Sequence, residues 1–218
     1  MKRAWRSLML CAVMVCAGLL LAACGPSFDA SGYVKAALDS TVHGESAEYV
    51  KIVDITAEEA QQEYDDVLDS MVEEISSLGL SDELNSKYRT LFADLLKQTD
   101  YTVLEATKTE DSYEVPVEIK PITNVFNGLM DDVETKMTEY SSEILNGNMD
   151  VPSEEEITEY AGQMVYDLLA ERVANIEYGD AQTVTVTVEP DDDGVYSVPE
   201  DDIEDLVTTM IDMGDLLG

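Results

Sequence analysis

Acidic residues near the C-terminus have the spacing of a calcium-binding loop. Carboxylates occupy positions 1, 3, 5 and 12 of a twelve-residue segment, at Glu189, Asp191, Asp193 and Glu200, and Gly194 occupies position 6. In helix–loop–helix proteins this pattern supplies oxygen ligands to Ca²⁺, and the glycine permits a sharp turn. Here an alternating run of Val and Thr precedes the segment and predicts a strand rather than a helix. The same residues therefore support either a calcium site or a solvated hairpin turn.

The other carboxylates could perform acid–base chemistry only if two of them were buried together in a cleft. Neighbouring acids occur on predicted polar helix faces, which are typical of a solvated surface. A carboxylate-based hydrolase with a concave pocket is an alternative function that requires at least one buried acid. The neighbouring acids are Glu58 and Glu59, Asp65 and Asp66, Glu73 and Glu74, Asp131 and Asp132, and Glu154 to Glu156.

Nucleophilic and zinc chemistry have little support. His43 is the only histidine, and one histidine cannot form a zinc site built on several. The chain has no Gly-x-Ser-x-Gly elbow and no phosphate-binding glycine loop. All three cysteines, Cys11, Cys16 and Cys24, lie within the first 24 residues, which excludes disulfides and thiolate sites from the rest. We expect His43 to lie in a surface loop, beside Gly44.

Tyrosine outnumbers phenylalanine by eleven to three, and five tyrosines lie on or beside predicted apolar helix stripes. At such positions a tyrosine typically buries its ring at the core edge and leaves its hydroxyl in water. Convergence of several rings would instead form a groove that binds a peptide or a sugar. The five are Tyr64, Tyr88, Tyr140, Tyr160 and Tyr166.

Net charge limits the class of partner. Residues 24–218 contain all 47 acidic side chains and nine basic ones, a net charge of −38. Phosphate contacts need Lys and Arg, so nucleic acid and anionic lipid surfaces are not expected as partners. A composition of 45% hydrophobic residues, arranged periodically, nevertheless predicts a folded chain. The charge favours a cationic peptide as the partner, and weak diffuse binding of cations.

The N-terminal segment has the composition of a secretory signal. Lys2, Arg3 and Arg6 precede a 14-residue apolar run, Leu8 to Leu21. This run is shorter than the ~20 residues that a membrane-spanning helix needs. An ordinary secreted cleavage site, ending by chance before Cys24, is the alternative to a lipoprotein signal.

The four residues Leu21-Ala22-Ala23-Cys24 resemble the lipobox of bacterial lipoproteins. The resemblance implies that residues 1–23 are a signal peptide and that Cys24 is lipidated. It also implies a short tether over residues 24–27 and attachment to the extracytoplasmic face of the cell membrane. Two or more acyl chains on one residue give stable anchoring. We expect residues 28–218 to form a single domain.

Apolar periodicity predicts an α+β fold, with an antiparallel sheet of two hairpins packed against about five or six helices. Capping boxes at Thr56–Glu59 and Ser153–Glu156 mark two helix starts. Pro116 predicts an edge position or a bulge for its strand. The hairpins share a Tyr-x-Val-Pro pattern, beginning at Tyr113 and Tyr196, which indicates a weak internal pseudo-repeat. Predicted helices cover 27–42, 56–78, 81–98, 123–145, 153–175 and 199–217, with a short turn over 47–52, and the hairpins cover 101–119 and 183–198.

The stretch from Phe28 to Val34 and the segment Asp193-Gly194-Val195-Tyr196 resemble acidic lipoproteins of Gram-positive bacteria that have no established activity. The Ala36-Ala37-Leu38 helix and Tyr49 also resemble the opening of NTF2-like or cystatin-like domains. Those domains curl a sheet around a helix and often hold a ligand in the concavity. The resemblance implies a location and a fold but no chemistry.

Together these features predict a membrane-anchored extracytoplasmic lipoprotein that acts as a non-catalytic binding module of the cell envelope. Its expected partner is a cationic peptide, a wall polymer with its counterions or another envelope protein. The alternatives are the carboxylate-based hydrolase and a calcium-responsive adhesion or sensor module. The second alternative would use the loop from Glu189 to Glu200. No other cofactor is expected.

Overall fold

The computed structural model describes residues 28–191 and 194–214, apart from the side chains of Glu74 and Glu200. Predictions that concern residues 1–27, including Cys24, and the predicted ligand Asp193 lie outside the described residues. Among the described residues, no helix has both the length and the apolar character needed to cross a membrane.

Seven helices form in the described part of the chain, which confirms the α+β class with slightly more helices than predicted. Both predicted capping boxes are present, so Glu59 and Glu156 each bond back to the backbone of the capping residue. The helices are α1 (Ala30–His43), α2 (Tyr49–Val53), α3 (Ala57–Ser76), α4 (Asp82–Leu96), α5 (Leu129–Leu145), α6 (Glu154–Val173) and α7 (Glu200–Met210).

The strands form one antiparallel sheet in which the two predicted hairpins lie side by side. β3 and β4 pair over seven residues, from Tyr113 opposite Val188 to Ile119 opposite Gln182. β1 and β2 both pair with the other side of β3, and β5 pairs with the end of β4. The strands are β1 (Asp100–Val103), β2 (Thr107–Lys108), β3 (Tyr113–Lys120), β4 (Gln182–Pro190) and β5 (Tyr196–Ser197).

Pro116 lies in a central strand, so the predicted edge position is wrong. The pairing register along β3 shifts by one residue between Val103 opposite Val117 and Thr107 opposite Glu114. The Pro116 carbonyl faces this shift, because it accepts a hydrogen bond from Leu104 N–H at 2.8 Å. In an antiparallel sheet the N and the C=O of one residue point to the same neighbouring strand. The Pro116 nitrogen, which has no N–H to donate, therefore also faces the bulge between β1 and β2.

The predicted helix over 123–145 begins six residues later than expected. Ile122 donates its N–H to Met210 O and accepts from Asp212 N–H, both at 2.9 Å, which ties this segment to the end of α7. Val125 and Phe126 are buried in the loop that follows. Gly128 then takes a left-handed conformation, φ 64°, immediately before α5. Tertiary contacts therefore hold residues 122–127 outside the helix.

The two Tyr-x-Val-Pro motifs occupy different places in the fold. Pro116 lies within β3, whereas Pro199 is the N-cap residue of α7. Tyr113 and Tyr196 nevertheless contact each other, with ring centroids 5.9 Å apart. Phe28, the first described residue, stacks on Tyr196 with centroids 4.2 Å apart, so the described chain begins at this end of the sheet.

Candidate functional site

A groove of about 430 Å³ lies between α5 and α6. We call these two helices and their connecting loop, residues 129–173, the helical hairpin. Of the α5 residues only Leu129 is buried, and the remaining apolar side chains of its stripe are partly or largely exposed. Helix α5 packs mainly against α6, so most of its surface faces solvent.

Two tyrosines lie side by side in this groove. Tyr140 of α5 and Tyr160 of α6 stack with ring centroids 3.9 Å apart and an angle of 15° between the rings. Both rings line the groove, so an aromatic surface is available to a ligand. Aromatic faces attract organic cations through the ring quadrupole.

Carboxylates line both walls of the groove. Glu139 and Glu143 project from α5, and Asp167 and Glu171 project from α6. Among the described residues, none of the four forms an ion pair with Lys or Arg. Lys136 also borders the groove and offsets part of this charge. The groove therefore combines aromatic and anionic surface.

Helix α6 is fixed to the rest of the molecule by its inner face. Gly162 permits this close approach, because a Cβ atom there would lie 2.5 Å from Leu80 Cδ2. Tyr88 of α4 donates its hydroxyl hydrogen to Gly162 O at 2.7 Å, and burial raises the pKa of this phenol. The buried residues of this face are Met164, Leu168, Leu169 and Val173.

Glu159 links α6 to the start of α4. Its carboxylate accepts hydrogen bonds from Ser81 Oγ at 2.5 Å and from Ser81 N–H at 2.9 Å. These hydrogen bonds lower the pKa of Glu159 below its ordinary value. The outer wall, α5, has no comparable set of buried contacts.

Arg172 fixes the base of α5. Its guanidinium donates to the carbonyls of Val125 and Asn127, each at 2.9 Å, and to Asp132 of α5 at 2.6 Å. The side chain is only 16% exposed. One arginine therefore joins the last turn of α6 to the segment that leads into α5.

Apolar side chains are exposed at the other end of the helical hairpin. Leu145 is 86% exposed and Val151 is 83% exposed, with Met149 between them in the chain. The three residues lie within a seven-residue stretch of the chain, and contiguous exposed apolar surface is typical of an interaction site. We call these three residues the hairpin tip.

The predicted tyrosine groove is formed by only two of its five candidates. Tyr140 and Tyr160 line it, whereas Tyr64 and Tyr88 are buried in the core. Tyr166 packs edge-on against Tyr88 with centroids 5.5 Å apart. The helical spacing identified all five tyrosines as lying near apolar stripes. It did not show which of the rings other elements would bury and which would stay accessible.

His43 lies in the last turn of α1 and is half-buried, so its prediction as a surface-loop residue is wrong. Its Nε2 lies 3.0 Å from Thr99 Oγ1, whose own hydrogen is donated to Leu96 O. Nε2–H is therefore the donor to Thr99. The imidazole also stacks on Tyr101, with centroids 5.1 Å apart.

Tyr101 completes a polar cluster around His43. Its hydroxyl donates to Asp39 Oδ1 at 2.8 Å and lies 3.5 Å from His43 Nδ1. Burial, followed by the hydrogen bond to Asp39, raises the pKa of Tyr101. Lys35 in turn forms an ion pair with Asp39. The cluster joins the end of α1 to the start of β1, and no sequence spacing indicated it.

The predicted calcium ligands are only partly described. Glu189 lies at the end of β4, and Asp191 begins the turn to β5. Asp191 Oδ1 accepts a hydrogen bond from Val195 N–H at 2.9 Å, which is the geometry of a hairpin turn. Within residues 28–191 and 194–214, no three His, Cys, Asp or Glu side chains are grouped as metal ligands. Because Asp193 and the Glu200 side chain are not described, calcium binding stays a prediction.

The hydrolase alternative requires a buried acid. Among the described side chains, the buried polar ones are Ser40 and Thr99, and neither is a carboxylate. Two of the neighbouring acids instead form surface ion pairs, Asp65 with Arg89 and Asp132 with Arg172. The described residues offer no pair of buried carboxylates for acid–base catalysis.

No protein-family model and no curated protein matches the sequence significantly. A crystal structure of ycdA from Bacillus subtilis, a lipoprotein candidate, is similar over 84% of this chain, with a TM-score of 0.56 and 21% identity. The aligned region spans 56% of that protein's length. At this identity the similarity shows a shared fold.

Proposed function

We propose that this chain is a lipid-anchored extracytoplasmic protein that acts as a non-catalytic binding module, and that its helical hairpin contacts the partner. The single observation that carries the proposal is the exposure of α5. Among the described residues no element covers the aromatic, anionic groove beside this helix, and the apolar residues of the hairpin tip are exposed at its end.

The anchoring part of the proposal rests on the residues that precede the fold. The lipobox-like sequence ends at Cys24, and Phe28 begins the described structure four residues later. The structural relative is itself described as a lipoprotein candidate. Both observations support attachment through Cys24.

Anchoring is tested by comparing the full chain with Cys24→Ser. We expect the natural chain in the membrane fraction, with incorporation of labelled palmitate, and the variant without label and outside that fraction. Equal distribution and equal labelling of the two proteins would contradict the proposal.

Binding through the helical hairpin is tested by site-specific photo-crosslinking in cells. A crosslinker at Met149 is matched by one at Leu104, in the bulge between β1 and β2, because the two side chains are 41% and 40% exposed. We expect a discrete adduct from position 149 and none from position 104. Identical adduct patterns, or no adduct from position 149, would exclude the hairpin tip as the contact.

A further inference from the structure

We infer that the groove of the helical hairpin binds an extended basic peptide segment that carries Lys or Arg at alternate positions. This inference rests on the proposed binding function and names the partner class for one surface of it. The argument depends on the aromatic pair, the unpaired carboxylates and the spacing of the acids along both helices.

The aromatic pair selects for an organic cation. Tyr140 and Tyr160 place ring surface in the groove, where Glu139 precedes Tyr140 on α5 and Glu143 follows it by three residues. Guanidinium and ammonium groups bind well to ring faces flanked by carboxylates. A metal ion would need several converging oxygen ligands, and among the described residues no such group exists.

The four carboxylates of the groove form no ion pair with a described Lys or Arg side chain, so they can pair with a cationic partner. Glu143 accepts a hydrogen bond from Asn148, and Asp167 accepts one from Gln163, both from neutral amides. The ammonium of Lys87, on α4, pairs with Glu83 at 2.9 Å and lies near enough to Asp167 to attract it electrostatically. Lys136 is the one described basic side chain that lines the groove, so three of its four negative charges are not offset there.

The acids are spaced for an extended peptide. Glu139 and Glu143 are four residues apart on α5, and Asp167 and Glu171 are four residues apart on α6. Four helical residues rise about 6 Å. Alternate side chains of an extended strand point to the same side and are about 6.6 Å apart. A peptide with a basic residue at every second position therefore matches the carboxylates along either wall.

The test measures binding of synthetic peptides to the soluble protein by calorimetry at near-physiological salt. The probes are a peptide of alternating Lys and Ser, the same residues with the Lys consecutive, the Glu–Ser counterpart, and spermine. We expect the alternating Lys peptide to bind most tightly and the Glu peptide not to bind.

Matched variants separate the groove from diffuse attraction to the acidic surface. The pair Glu139→Gln and Glu171→Gln removes the same charge as Glu58→Gln and Glu73→Gln, two exposed acids of α3. We expect a weakening of about tenfold for the groove pair and less than about twofold for the α3 pair. Equal weakening by the two pairs would overturn the inference.

The aromatic contribution is tested separately. Tyr160→Phe keeps a ring and should bind normally, whereas Tyr160→Leu should lose about threefold in affinity. Tyr178→Leu, at a similarly exposed tyrosine outside the groove, is the control and should not change the affinity. An unchanged affinity for Tyr160→Leu would overturn the inference.

Spermine distinguishes a peptide from a free polyamine. Spermine binding as tight as that of the alternating peptide, with the same dependence on Glu139 and Glu171, would overturn the peptide assignment. Failure of the peptides to bind leaves the crosslink at Met149 intact, so the inference and the proposed function can fail independently.

Discussion

Strand β3 and helix α5 both carry a regular apolar stripe, but only the β3 stripe is fully covered. Val115, Val117 and Ile119 of β3 have no exposed surface, because β3 lies between other strands and contacts α1 and α7. The corresponding stripe of α5 is only half-buried, since α6 is its main neighbour. The period of a stripe therefore indicates which face is apolar, while the neighbouring elements determine how far that face is buried.

Truncation in the two stripes should produce the largest difference. Ile119→Ala removes a fully buried side chain and should lower the free energy of unfolding by about 2–5 kcal/mol. Ile144→Ala, in the half-buried α5 stripe, should cost less than about 1.5 kcal/mol. Urea denaturation of residues 28–218 measures both values, and similar losses would mean that α5 is as much a part of the core as β3.

The two ion-paired arginines should differ next. Arg172→Met removes a guanidinium that bonds three backbone carbonyls and Asp132, and should destabilise the protein by about 2–3 kcal/mol. Arg89→Met removes ion pairs with Asp65 and Asp69 from a side chain that is 38% exposed, and should cost about 0–1 kcal/mol. Hydrogen exchange should also accelerate in α5 only for the Arg172 variant. Equal losses in the free energy of unfolding for the two variants would show that the contacts of Arg172 do not fix the start of α5.

The two capping boxes allow a comparison of identical chemistry in the two regions. Thr56→Ala and Ser153→Ala each remove one capping side chain, a change of about 1 kcal/mol for the helix concerned. We expect Thr56→Ala to lower the global unfolding midpoint. Ser153→Ala should act mainly on amide exchange in the first turns of α6, because the helical hairpin can open locally there. If Ser153→Ala lowered only the global unfolding midpoint, the helical hairpin would not open independently of the rest of the fold.

The smallest of the expected effects is the weakening, at low pH, of the hydrogen bonds from Ser81 to Glu159 that join α4 to α6. Hydrogen bonds from Ser81 lower the pKa of Glu159 from its ordinary 4.5, so this stabilisation is present above about pH 4.5 and disappears as pH falls through the lower folded pKa. The difference in melting temperature between the natural chain and Glu159→Gln should therefore shrink as the pH falls below 4.5. A difference that stays constant would show that the Ser81 contact does not stabilise the fold.

The sequence predicted local features better than long-range ones. Both capping boxes are present, and so is the strand pairing within each predicted hairpin, because each of these features depends on residues close together in the chain. The edge position of Pro116 was wrong, since the partner strand β4 comes from residues 182–190. The contacts of His43 also escaped prediction because Thr99 and Tyr101 are more than fifty residues away. Prediction of the groove required knowing that no element within residues 28–191 and 194–214 packs over Tyr140.

The stacking of Phe28 on Tyr196 would set the orientation of the molecule on a membrane to which Cys24 attached it. Three residues lie between Cys24 and Phe28, and the four Cα–Cα steps of an extended chain reach about 14 Å. With Cys24 lipidated as proposed, this short linker holds the β5 end of the sheet close to the lipid headgroups. The distance is one or two Debye lengths at physiological ionic strength, where one Debye length is about 8 Å. The acids beside that end would be repelled by an anionic leaflet and less so at high salt. The tilt of the whole molecule on its membrane should therefore vary with lipid charge and ionic strength.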